Sequence, residues 1–354
     1  MIPPDRSTPD RVVLRAPNWL GDAVLALPAM AAVRAHFAST HLTIAAPASV
    51  AALFREGSDA YPDAVVTLPS SHRATITTLR AGRFDIAVLF PNSFRSAWQM
   101  RRAGIPERWG YARSSRGWML TRAAQRPAGT RGQGPEHHVD YYRHLVRGLG
   151  IPCDDVPPRV EATPRSRESA RRVLGPWADD PAPFVIVAPG AAYGQAKQWP
   201  PDRMAALMVR LMRDRGLRII LVGAGHDREA GMQIEAHIRA EASASSINVR
   251  NLIGQTDLGT LVALAEQARV CITNDSGAMH VASATGCPIV VPFGPTDERV
   301  TRPVGRAEVL TADVFCRPCH LRDCPIDHRC MRRITVDQMF HAVSRHLAFS
   351  RSDR

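Results

Sequence analysis

The sequence predicts an α/β protein made of two halves, each built around a parallel β-sheet. Two observations support this prediction. Short apolar runs rich in valine and isoleucine alternate with amphipathic segments along most of the 354 residues, which is the pattern of βαβ units. A proline-rich stretch between residues 152 and 183 separates the halves, and its prolines would interrupt any sheet that continued through it.

Strands and helices can be placed in each half. In the first half we expect strands at Val12–Leu14, Leu42–Ala45 and Ile86–Phe90 and a helix over Ala23–Phe37. In the second half we expect strands at Phe184–Ala188, Arg218–Val222, Val270–Thr273 and Pro288–Val291, and helices that begin near Pro201, Asp227, Leu258 and Ala278. The predicted domains are therefore residues 1–165 and 166–334. A closing helix follows over residues 335–354, and a return of this helix onto the first domain is one arrangement that we consider.

Composition limits the class of protein. Hydrophobic residues make up 45% of the chain and charged residues 22%, values typical of soluble globular proteins. No apolar run has the length of a membrane span, and the N-terminus lacks the basic and apolar regions of a secretory signal. We therefore expect a cytoplasmic protein. Its seven cysteines, an odd number, argue against a disulfide framework.

The charge balance predicts anionic partners. Lysine and arginine total 45 against 33 acidic residues, for a net charge of +12. Nucleic acid, an anionic membrane face and a phosphorylated substrate would all suit this charge. The arginines are scattered, and aromatic residues are only 6% of the chain, which is low for a protein that stacks on bases.

The only lysine of the chain, Lys197, lies in the segment Pro189-Gly-Ala-Ala-Tyr-Gly-Gln-Ala-Lys-Gln-Trp-Pro200. The small residues that follow the strand, at positions 190 to 192, let backbone N–H groups approach an anion. Pro201 would open a helix whose free N–H groups attract phosphate. A compact ammonium group suits a tight phosphate pocket. The segment predicts a phosphate site, although a lysine that merely escaped a coding bias toward arginine is the alternative.

Two more turns follow predicted strands of the second half. One is Thr273-Asn-Asp-Ser-Gly-Ala-Met-His280, where the Ser276 hydroxyl and the first helical N–H groups could hold a phosphate. Within it, Asp275 could accept a hydrogen bond from a ribose hydroxyl or could cap the helix. The other turn is Phe293-Gly-Pro-Thr-Asp297. Because three such turns meet at one sheet edge, they predict a site for a nucleotide or sugar phosphate.

The first half contributes an acidic residue at the corresponding place. Asp22 follows the first strand in Asn18-Trp-Leu-Gly-Asp-Ala-Val-Leu-Ala-Leu-Pro28. Its carboxylate could be a helix N-cap or a general base for an acceptor hydroxyl. Spacing alone favours neither.

A cysteine-rich segment lies near the end of the chain. Its four thiols are Cys316, Cys319, Cys324 and Cys330. The first pair has the spacing of a zinc knuckle, but the second pair is separated by five residues, which is poor spacing for a zinc ribbon. We expect reduced, partly buried thiols and no metal, with a structural metal site as the alternative.

Together, the segments around Asp22, Lys197 and Asp275 and the turn at Phe293–Asp297 resemble the ADP-heptose:lipopolysaccharide heptosyltransferases of glycosyltransferase family 9. The forms of the first two segments are most similar to the heptosyltransferase II members. The motifs occur in the family's order from Val12 to about Phe340.

The resemblance implies a GT-B fold, in which two Rossmann-like domains with parallel sheets face each other across a central cleft. It implies an inverting transfer of L-glycero-D-manno-heptose from ADP-heptose to the first heptose of the lipopolysaccharide inner core, without a further cofactor. By motif position, Asp22 takes the role of catalytic base and Lys197 binds the donor diphosphate. The remaining donor-binding positions are Gly190, Ala191, Ala192, Asp227, Asp275, Ser276, Gly277, Ala278 and His280. Asp227, expected near the ribose, is shorter than the glutamate common in the family.

The resemblance also implies an acidic or phosphorylated glycolipid acceptor, and therefore peripheral contact with the cytoplasmic face of the inner membrane rather than with nucleic acid. The acceptor contacts that we expect are Asn18, Arg15, Arg95 and Arg116. One alternative is another sugar-nucleotide enzyme of this fold, such as an epimerase, which would need acid and base groups on both faces of the sugar. The other is a basic nucleic-acid-binding protein with a cysteine-rich metal module.

Overall fold

The computed structural model of the protein describes residues 9–124, 134–180, 182–242 and 247–348. The chain folds into two compact units, which divide between Arg159 and Val160. The division lies inside the proline-rich stretch and precedes the predicted boundary at residue 165. In the described residues, each unit contains one parallel sheet flanked by helices, so the predicted α/β class with two Rossmann-like domains is confirmed.

The first unit contains the strands β1 (Arg11–Arg15), β2 (His41–Pro47), β3 (Ala64–Leu68), β4 (Ile86–Leu89), β5 (Glu107–Tyr111) and β6 (Arg122–Ala124). In the described part of this unit they form a sheet in the order β3-β2-β1-β4-β5-β6, and all neighbouring pairs are parallel. β4 is buried at every position, which is why it is a continuous apolar run in the sequence. The sequence did not predict β3, β5 or β6, which contain half-buried positions.

The helices of the first unit are α1 (Leu20–Leu25), α2 (Leu27–His36), α3 (Ala48–Ala51), α4 (His72–Ala81), α5 (Phe94–Arg102) and α6 (His138–Gly148). The single helix predicted over Ala23–Phe37 was wrong, because α1 and α2 are separated at Ala26. Pro28 has no N–H to donate to the carbonyl four residues earlier, and the helix is interrupted there.

The order of the first sheet reverses between β1 and β4. From β1 the chain adds β2 and β3 on one side, and from β4 it adds β5 and β6 on the other. Loops that leave the carboxyl ends of these two central strands therefore diverge to opposite sides of the sheet. Such a reversal leaves a crevice, which is where open α/β sheets bind ligands.

The second unit contains the strands β7 (Phe184–Ala188), β8 (Arg218–Leu221), β9 (Val249–Asn251), β10 (Cys271–Thr273), β11 (Ile289–Phe293) and β12 (Ala307–Thr311). Its helices are α7 (Pro164–Leu174), α8 (Pro201–Arg215), α9 (Arg228–Glu241), α10 (Leu258–Gln267), α11 (Gly277–Ala284), α12 (Glu298–Thr301), α13 (Arg329–Arg332) and α14 (Val336–Leu347). Its described strands pair in the order β12-β11-β10-β7-β8-β9, so the reversal lies between β7 and β10. The four predicted helix starts agree with α8 to α11 within one residue.

The closing helix α14 belongs to the second unit. Thr335 caps it in a reciprocal pair with Gln338, through hydrogen bonds of 2.8 and 3.2 Å. Its apolar face, with Met339, Phe340 and Val343, lies in the same core as α8. The apolar stripe of α14 therefore packs in the core of its own unit.

None of the helices in the described ranges is both long enough and apolar enough to cross a lipid bilayer.

Candidate active site

The crevice between the carboxyl ends of β1 and β4 forms a cavity of about 410 Å³ in the first unit. The loop after β1, the loop after β4 and the first turns of α6 form its walls. Its lining includes Asn18, Asp22, Asn92, His138, Tyr141 and Tyr142. The cavity therefore combines a carboxylate, an imidazole, amides and phenols, which are groups that can recognise and deprotonate a hydroxyl-rich ligand.

Asp22 lies in the first turn of α1, but the N-cap of that helix is Trp19. The N-cap interpretation of Asp22 is therefore wrong. Its Oδ1 lies 2.9 Å from Nδ1 of His138, and the two side chains are 26% and 37% exposed. The carboxylate is held by the imidazole and still reaches the cavity. A general base needs this combination of fixed orientation and access to the substrate.

Two tyrosines of α6 complete the wall beside this pair. The ring centroids of Tyr141 and Tyr142 lie 6.3 and 6.5 Å from that of His138. Burial, assisted by the negative charge of Asp22, raises the pKa of the Tyr142 phenol well above its usual value. The phenol therefore stays neutral at physiological pH. Tyr141 accepts a hydrogen bond of 2.6 Å from the amide of Asn92.

Arg116, which was expected to contact the acceptor, has no exposed surface. Its Nε donates to the carbonyl of Tyr111 over 3.0 Å, and Nη1 donates to the carbonyl of Pro91. Nη2 donates to Oδ1 of Asn92 over 3.4 Å. Burial lowers the pKa of Arg116 to about 10, so it remains cationic at neutral pH. The prediction of a direct contact is corrected, because Arg116 holds the Pro91–Asn92 loop that lines the cavity.

Arg15 is also buried, with 7% of its surface exposed. Its guanidinium donates to the carbonyl of Ala16 and, over 2.6 Å, to Oδ1 of Asn18. Burial lowers the pKa of Arg15 to about 10. Arg15 therefore orients Asn18, which lines the cavity.

The arginine in the cavity lining is Arg113, which the sequence did not single out. Its guanidinium carbon lies 5.9 Å from the ring centroid of Tyr141, and the side chain is exposed. Arg95, the third predicted acceptor contact, is an exposed residue in the first turn of α5 and is not part of this lining.

In the second unit, Lys197 ends a short 3-10 turn after β7. Its Nζ lies 2.5 Å from Oδ2 of Asp275, and the two side chains are only 12% and 5% exposed. The same carboxylate oxygen accepts a hydrogen bond of 2.7 Å from the Thr296 hydroxyl. The three predicted turns, after β7, β10 and β11, therefore meet at one carboxylate. Asp275 is not a helix cap, since the N-cap of α11 is Ser276.

Asn274 joins the first two of these turns. Its side-chain oxygen accepts from the N–H of Trp199 over 3.0 Å, and its amide donates to the carbonyl of Pro189 over 2.6 Å. Asn274 is fully buried. It therefore fixes the position of the Lys197 loop relative to the end of β10.

Gly190 and Asp227 approach each other closely. A Cβ atom at Gly190 would lie 2.2 Å from Oδ1 of Asp227, so only glycine fits there. Asp227 is buried, and its Oδ2 accepts from the N–H of Ala224 over 2.9 Å. Its carboxylate therefore closes the turn after β8, beside the loop that contains Ala191, which is buried, and Ala192, which is exposed.

The first turn of α11 presents partly exposed backbone. Ser276, Gly277 and Ala278 are all half-buried, and the Ser276 hydroxyl lies 3.4 Å from that of Thr273. The N–H groups of this turn have no carbonyl partner within the helix, which makes the turn suitable for an anion. His280 is 5% exposed and lies inside the unit.

The cysteine-rich segment packs on the loop of Lys197. The carbonyl of Arg322 accepts from the N–H of Ala196 over 2.9 Å, and Nε2 of His328 lies 2.7 Å from the carbonyl of Ala196. The Tyr193 hydroxyl donates to the carbonyl of His320 over 2.9 Å. A Cβ at Gly194 would lie 2.4 Å from the Arg322 oxygen. The segment thus covers the loop and limits its movement.

All seven cysteines lie in the described ranges and are free thiols. Cys319 and Cys324 are exposed, whereas Cys330 is buried, and burial raises its pKa. Across the described residues, no group of three or more histidine, cysteine and acidic side chains is arranged to hold a metal ion. The alternative of a structural metal at Cys316–Cys330 stays a prediction.

Known proteins with similar sequences show the family to which the chain belongs. The model of the family described as glycosyltransferase family 9 (heptosyltransferase) matches residues 72–329. The chain belongs to glycosyltransferase family 9. It is 29% identical over 318 residues to lipopolysaccharide heptosyltransferase 2 of Escherichia coli, across 85% of this chain and 87% of the other. It is 24% identical to lipooligosaccharide heptosyltransferase 2 of Campylobacter jejuni, across 95% and 98% of the two chains.

A solved structure of this family has the same fold. The structure of E. coli ADP-heptose lps heptosyltransferase II superposes with a TM-score of 0.79 at 25% identity, over 95% of this chain and 98% of that one. The family resemblance and the glycosyltransferase class predicted from the motifs are thus confirmed. A family 9 enzyme is a sugar transferase, so the epimerase alternative is not favoured.

Several cavity residues of this family 9 enzyme could not be found from the sequence. His138 is 116 positions away from Asp22 and lies in a helix rather than at a strand end. Asn92 does follow β4 directly, and the rule that ligands bind at the carboxyl ends of strands could have identified it. Tyr141 and Arg113 carry no comparable signal, because their places in the cavity depend on the packing of α6 and of the loop after β5.

Proposed function

We propose that this glycosyltransferase transfers L-glycero-D-manno-heptose from ADP-heptose to the first heptose of the lipopolysaccharide inner core. Its relatives named heptosyltransferase 2 support this choice of donor and acceptor. One observation carries the proposal: Asp22 is partly exposed in a cavity of about 410 Å³, where His138 orients its carboxylate.

In the proposed reaction, Asp22 takes the proton of the acceptor hydroxyl as its oxygen attacks the anomeric carbon of the donor. The new C–O bond forms on the face opposite the phosphate, and the bond between the anomeric carbon and the phosphate oxygen breaks. ADP leaves with the electron pair of that bond, so the configuration at the anomeric carbon inverts. His138 holds the carboxylate in position during this step.

Lys197 and the first turn of α11 are assigned to the leaving diphosphate. An ammonium group has three donors. One points at Asp275 over 2.5 Å, which leaves the others for phosphate oxygens. The N–H groups of Ser276, Gly277 and Ala278 add partial positive charge at a helix N-terminus. These groups stabilise the charge that develops on ADP, so the mechanism uses no further cofactor.

The cavity of the first unit is assigned to the acceptor. Asn18, Asn92 and the tyrosines offer donors and acceptors for sugar hydroxyls, and the aromatic rings offer apolar faces for sugar C–H groups. Arg113 supplies a cation for a phosphate or carboxylate of the acceptor. Asp227 stays assigned to the ribose side of the donor site, next to Gly190.

The proposed partners follow from the substrates. The acceptor is a glycolipid, so we propose that the enzyme works at the cytoplasmic face of the inner membrane. The net charge of +12 is then matched to an anionic lipid surface rather than to nucleic acid. A nucleic-acid-binding role would instead predict tight binding to duplex or single strands with a steep salt dependence.

Release of ADP tests this function. Purified protein is mixed with ADP-heptose and one of two acceptors, an inner core that ends in its first heptose and an inner core without heptose. We expect ADP release and a mass increase of one heptose with the first acceptor only. ADP release with the heptose-free core alone would assign a different acceptor, and no release with either would refute the proposal.

A further inference from the structure

A stripe of aromatic and basic side chains, exposed except for the half-buried Trp98, lies on α5. Phe94, Trp98, Arg101 and Arg102 recur at helical spacing on one side of this helix. Trp118, in the 3-10 turn Gly117–Met119, extends the stripe. Phe94 is 44% exposed and Trp118 is 59% exposed. We call these five residues the aromatic–arginine face.

Ring contacts make this face continuous. The ring centroid of Phe94 lies 6.3 Å from that of Trp98 and 6.4 Å from that of Trp118. The guanidinium of Arg101 lies 4.5 Å from the Trp118 ring, and that of Arg102 lies 5.7 Å from the Trp98 ring. The guanidinium groups therefore lie over the rings, so that positive charge and aromatic surface form one continuous face.

The surrounding sequence is strongly basic. Residues 91 to 124 contain seven arginines and a single acidic residue, Glu107. The carboxylate of Glu107 accepts hydrogen bonds from Trp109 over 3.2 Å and from Thr121 over 2.7 Å. A partner that complements this charge must be anionic. Because Phe94 and Trp118 are exposed, the partner must also have an apolar layer.

We propose that the aromatic–arginine face docks on the surface of an anionic lipid bilayer. Tryptophan prefers the boundary between lipid headgroups and acyl chains, and arginine is attracted to anionic headgroups. This inference rests on the proposed function in one respect, since it names the membrane that carries the glycolipid acceptor as the partner.

The face is linked to the cavity that contains Asp22. Phe94 follows the Pro91–Asn92 loop after one residue, and that loop lines the cavity. Arg116, two residues before Trp118, hydrogen-bonds to this same loop. A bilayer on this face would therefore lie next to the loop that lines the cavity.

Vesicle flotation tests the proposal without any sugar substrate. The purified full-length protein is floated with vesicles of phosphatidylethanolamine and phosphatidylglycerol, and separately with vesicles of phosphatidylcholine alone. We expect binding to the anionic vesicles that weakens with salt, and little binding to the zwitterionic ones. The double variant Phe94→Ala/Trp118→Ala and the double variant Arg101→Glu/Arg102→Glu should each lose at least about tenfold in partition coefficient.

Matched controls are available on the same unit. Tyr61 is 68% exposed and Arg73 is exposed on α4, so Tyr61→Ala and Arg73→Glu remove an aromatic ring and a positive charge elsewhere. We expect both controls to bind vesicles like wild type. The proposal would be overturned if the wild-type protein did not bind anionic vesicles, or if the face variants bound them as well as the controls do. The proposal would also be overturned if wild type sedimented as a dimer and the face variants as monomers, because the face would then bind a second copy of the chain.

Turnover separates this proposal from the proposed function. With a lipid-free inner-core oligosaccharide as acceptor, the face variants should release ADP at the wild-type rate. With the acceptor embedded in vesicles, their rate should fall in proportion to the lost partition. If wild type turns over neither acceptor, the proposed function is refuted. The flotation results still show whether the aromatic–arginine face binds anionic vesicles.

Discussion

Nζ of Lys197 lies 2.5 Å from Oδ2 of Asp275, and this contact joins the loops that follow β7 and β10. These two strands are the neighbours between which the order of the second sheet reverses. The only lysine of the chain is therefore held, nearly buried, at the point where an open α/β sheet binds its ligand. The ammonium group also lies 4.8 Å from the ring centroid of Tyr193.

Lys197→Arg should impair the enzyme although it keeps the charge. The planar guanidinium does not fit the space between Asp275 and the Tyr193 ring that holds a compact ammonium group. We expect kcat/KM for ADP-heptose to fall by about 100-fold, the usual cost of losing one group that stabilises developing charge. Steady-state kinetics measure this, with Lys197→Met as the variant without charge. Near-normal activity of Lys197→Arg would show that the lysine has no specific role.

Substitutions of His138 separate positioning from proton transfer. In His138→Asn the side-chain amide can replace the Nδ1–H donor to Asp22, whereas in His138→Ala no donor remains. We expect His138→Ala to lower kcat by about tenfold or more with little change in the KM for ADP-heptose, because Asp22 loses its orientation. His138→Asn should recover most of this loss. If Asn fails as badly as Ala, then the imidazole itself takes part in proton transfer.

Gly194→Ala should loosen the donor loop without any change of charge. The added methyl would lie 2.4 Å from the backbone oxygen of Arg322, so the cysteine-rich segment must move away from the loop of Lys197. We expect a weaker affinity for ADP, measured by calorimetry, with an intact overall fold. The control is Gly117→Ala in the first unit, where the added atom would make only an ordinary contact of 3.4 Å with Cβ of Ala112. Equal ADP affinities for the two variants would contradict this account of the segment.

Arg116→Lys should destabilise the first unit. The single nitrogen of a lysine cannot replace the separate Nε and Nη1 atoms that donate to the carbonyls of Tyr111 and Pro91, so a buried acceptor loses its partner. We expect a loss of about 2–3 kcal/mol in the free energy of unfolding, measured by urea denaturation. The KM for the acceptor should also rise, since the Pro91–Asn92 loop loses its support. Arg73→Lys, on the exposed side of α4, is the control and should stay within about 0.5 kcal/mol of wild type.

Asp257 should make a pH-dependent contribution to the free energy of unfolding. It is the N-cap of α10, and hydrogen bonds from the Thr260 hydroxyl and backbone N–H lower its pKa in the folded state. Because the pKa of this carboxyl is lower in the folded than in the unfolded state, its ionised form stabilises the fold at pH values above the unfolded pKa. This stabilisation is lost as the pH falls through the folded pKa. We expect Asp257→Ala to cost about 1 kcal/mol at pH 7. The difference from wild type should shrink below about pH 4.

An amide at the same position provides the control for this pH effect. Asp257→Asn keeps a good N-cap that does not titrate, so its stability at pH 7 should be close to that of wild type. A difference between wild type and Asp257→Ala that stays constant from pH 7 to pH 3 would show that the carboxylate's charge is not involved. Denaturation curves at several pH values measure both variants.

The central strands were predictable and the outer ones were not. β7 and β11 are buried at every position, so their sequences are continuous runs of valine, isoleucine and other apolar residues. β9 and β12 are only half-buried, and the polar residues in them hide the strand signal. The loops at the ends of the central strands, and with them Asp22 and Lys197, could therefore be found from the sequence.

The positions of the arginines could not be predicted from the sequence. Arg15 and Arg116 were expected to contact the acceptor because an acidic or phosphorylated glycolipid would need cationic partners. Both are buried, since backbone carbonyls and asparagine oxygens surround their guanidinium groups. His138 and Arg113 line the cavity only because α6 and the loop after β5 fold over it. No local pattern in the sequence encodes that packing.

Replacement of Asp22 tests the central claim most directly. Asp22→Asn keeps the size of the side chain and its reach toward His138, but it removes the basic carboxylate. With saturating ADP-heptose and an inner-core acceptor that ends in its first heptose, kcat should fall by at least about 100-fold, while calorimetry shows unchanged ADP affinity. A variant that transfers heptose within a few-fold of the wild-type rate would show that Asp22 is not the base.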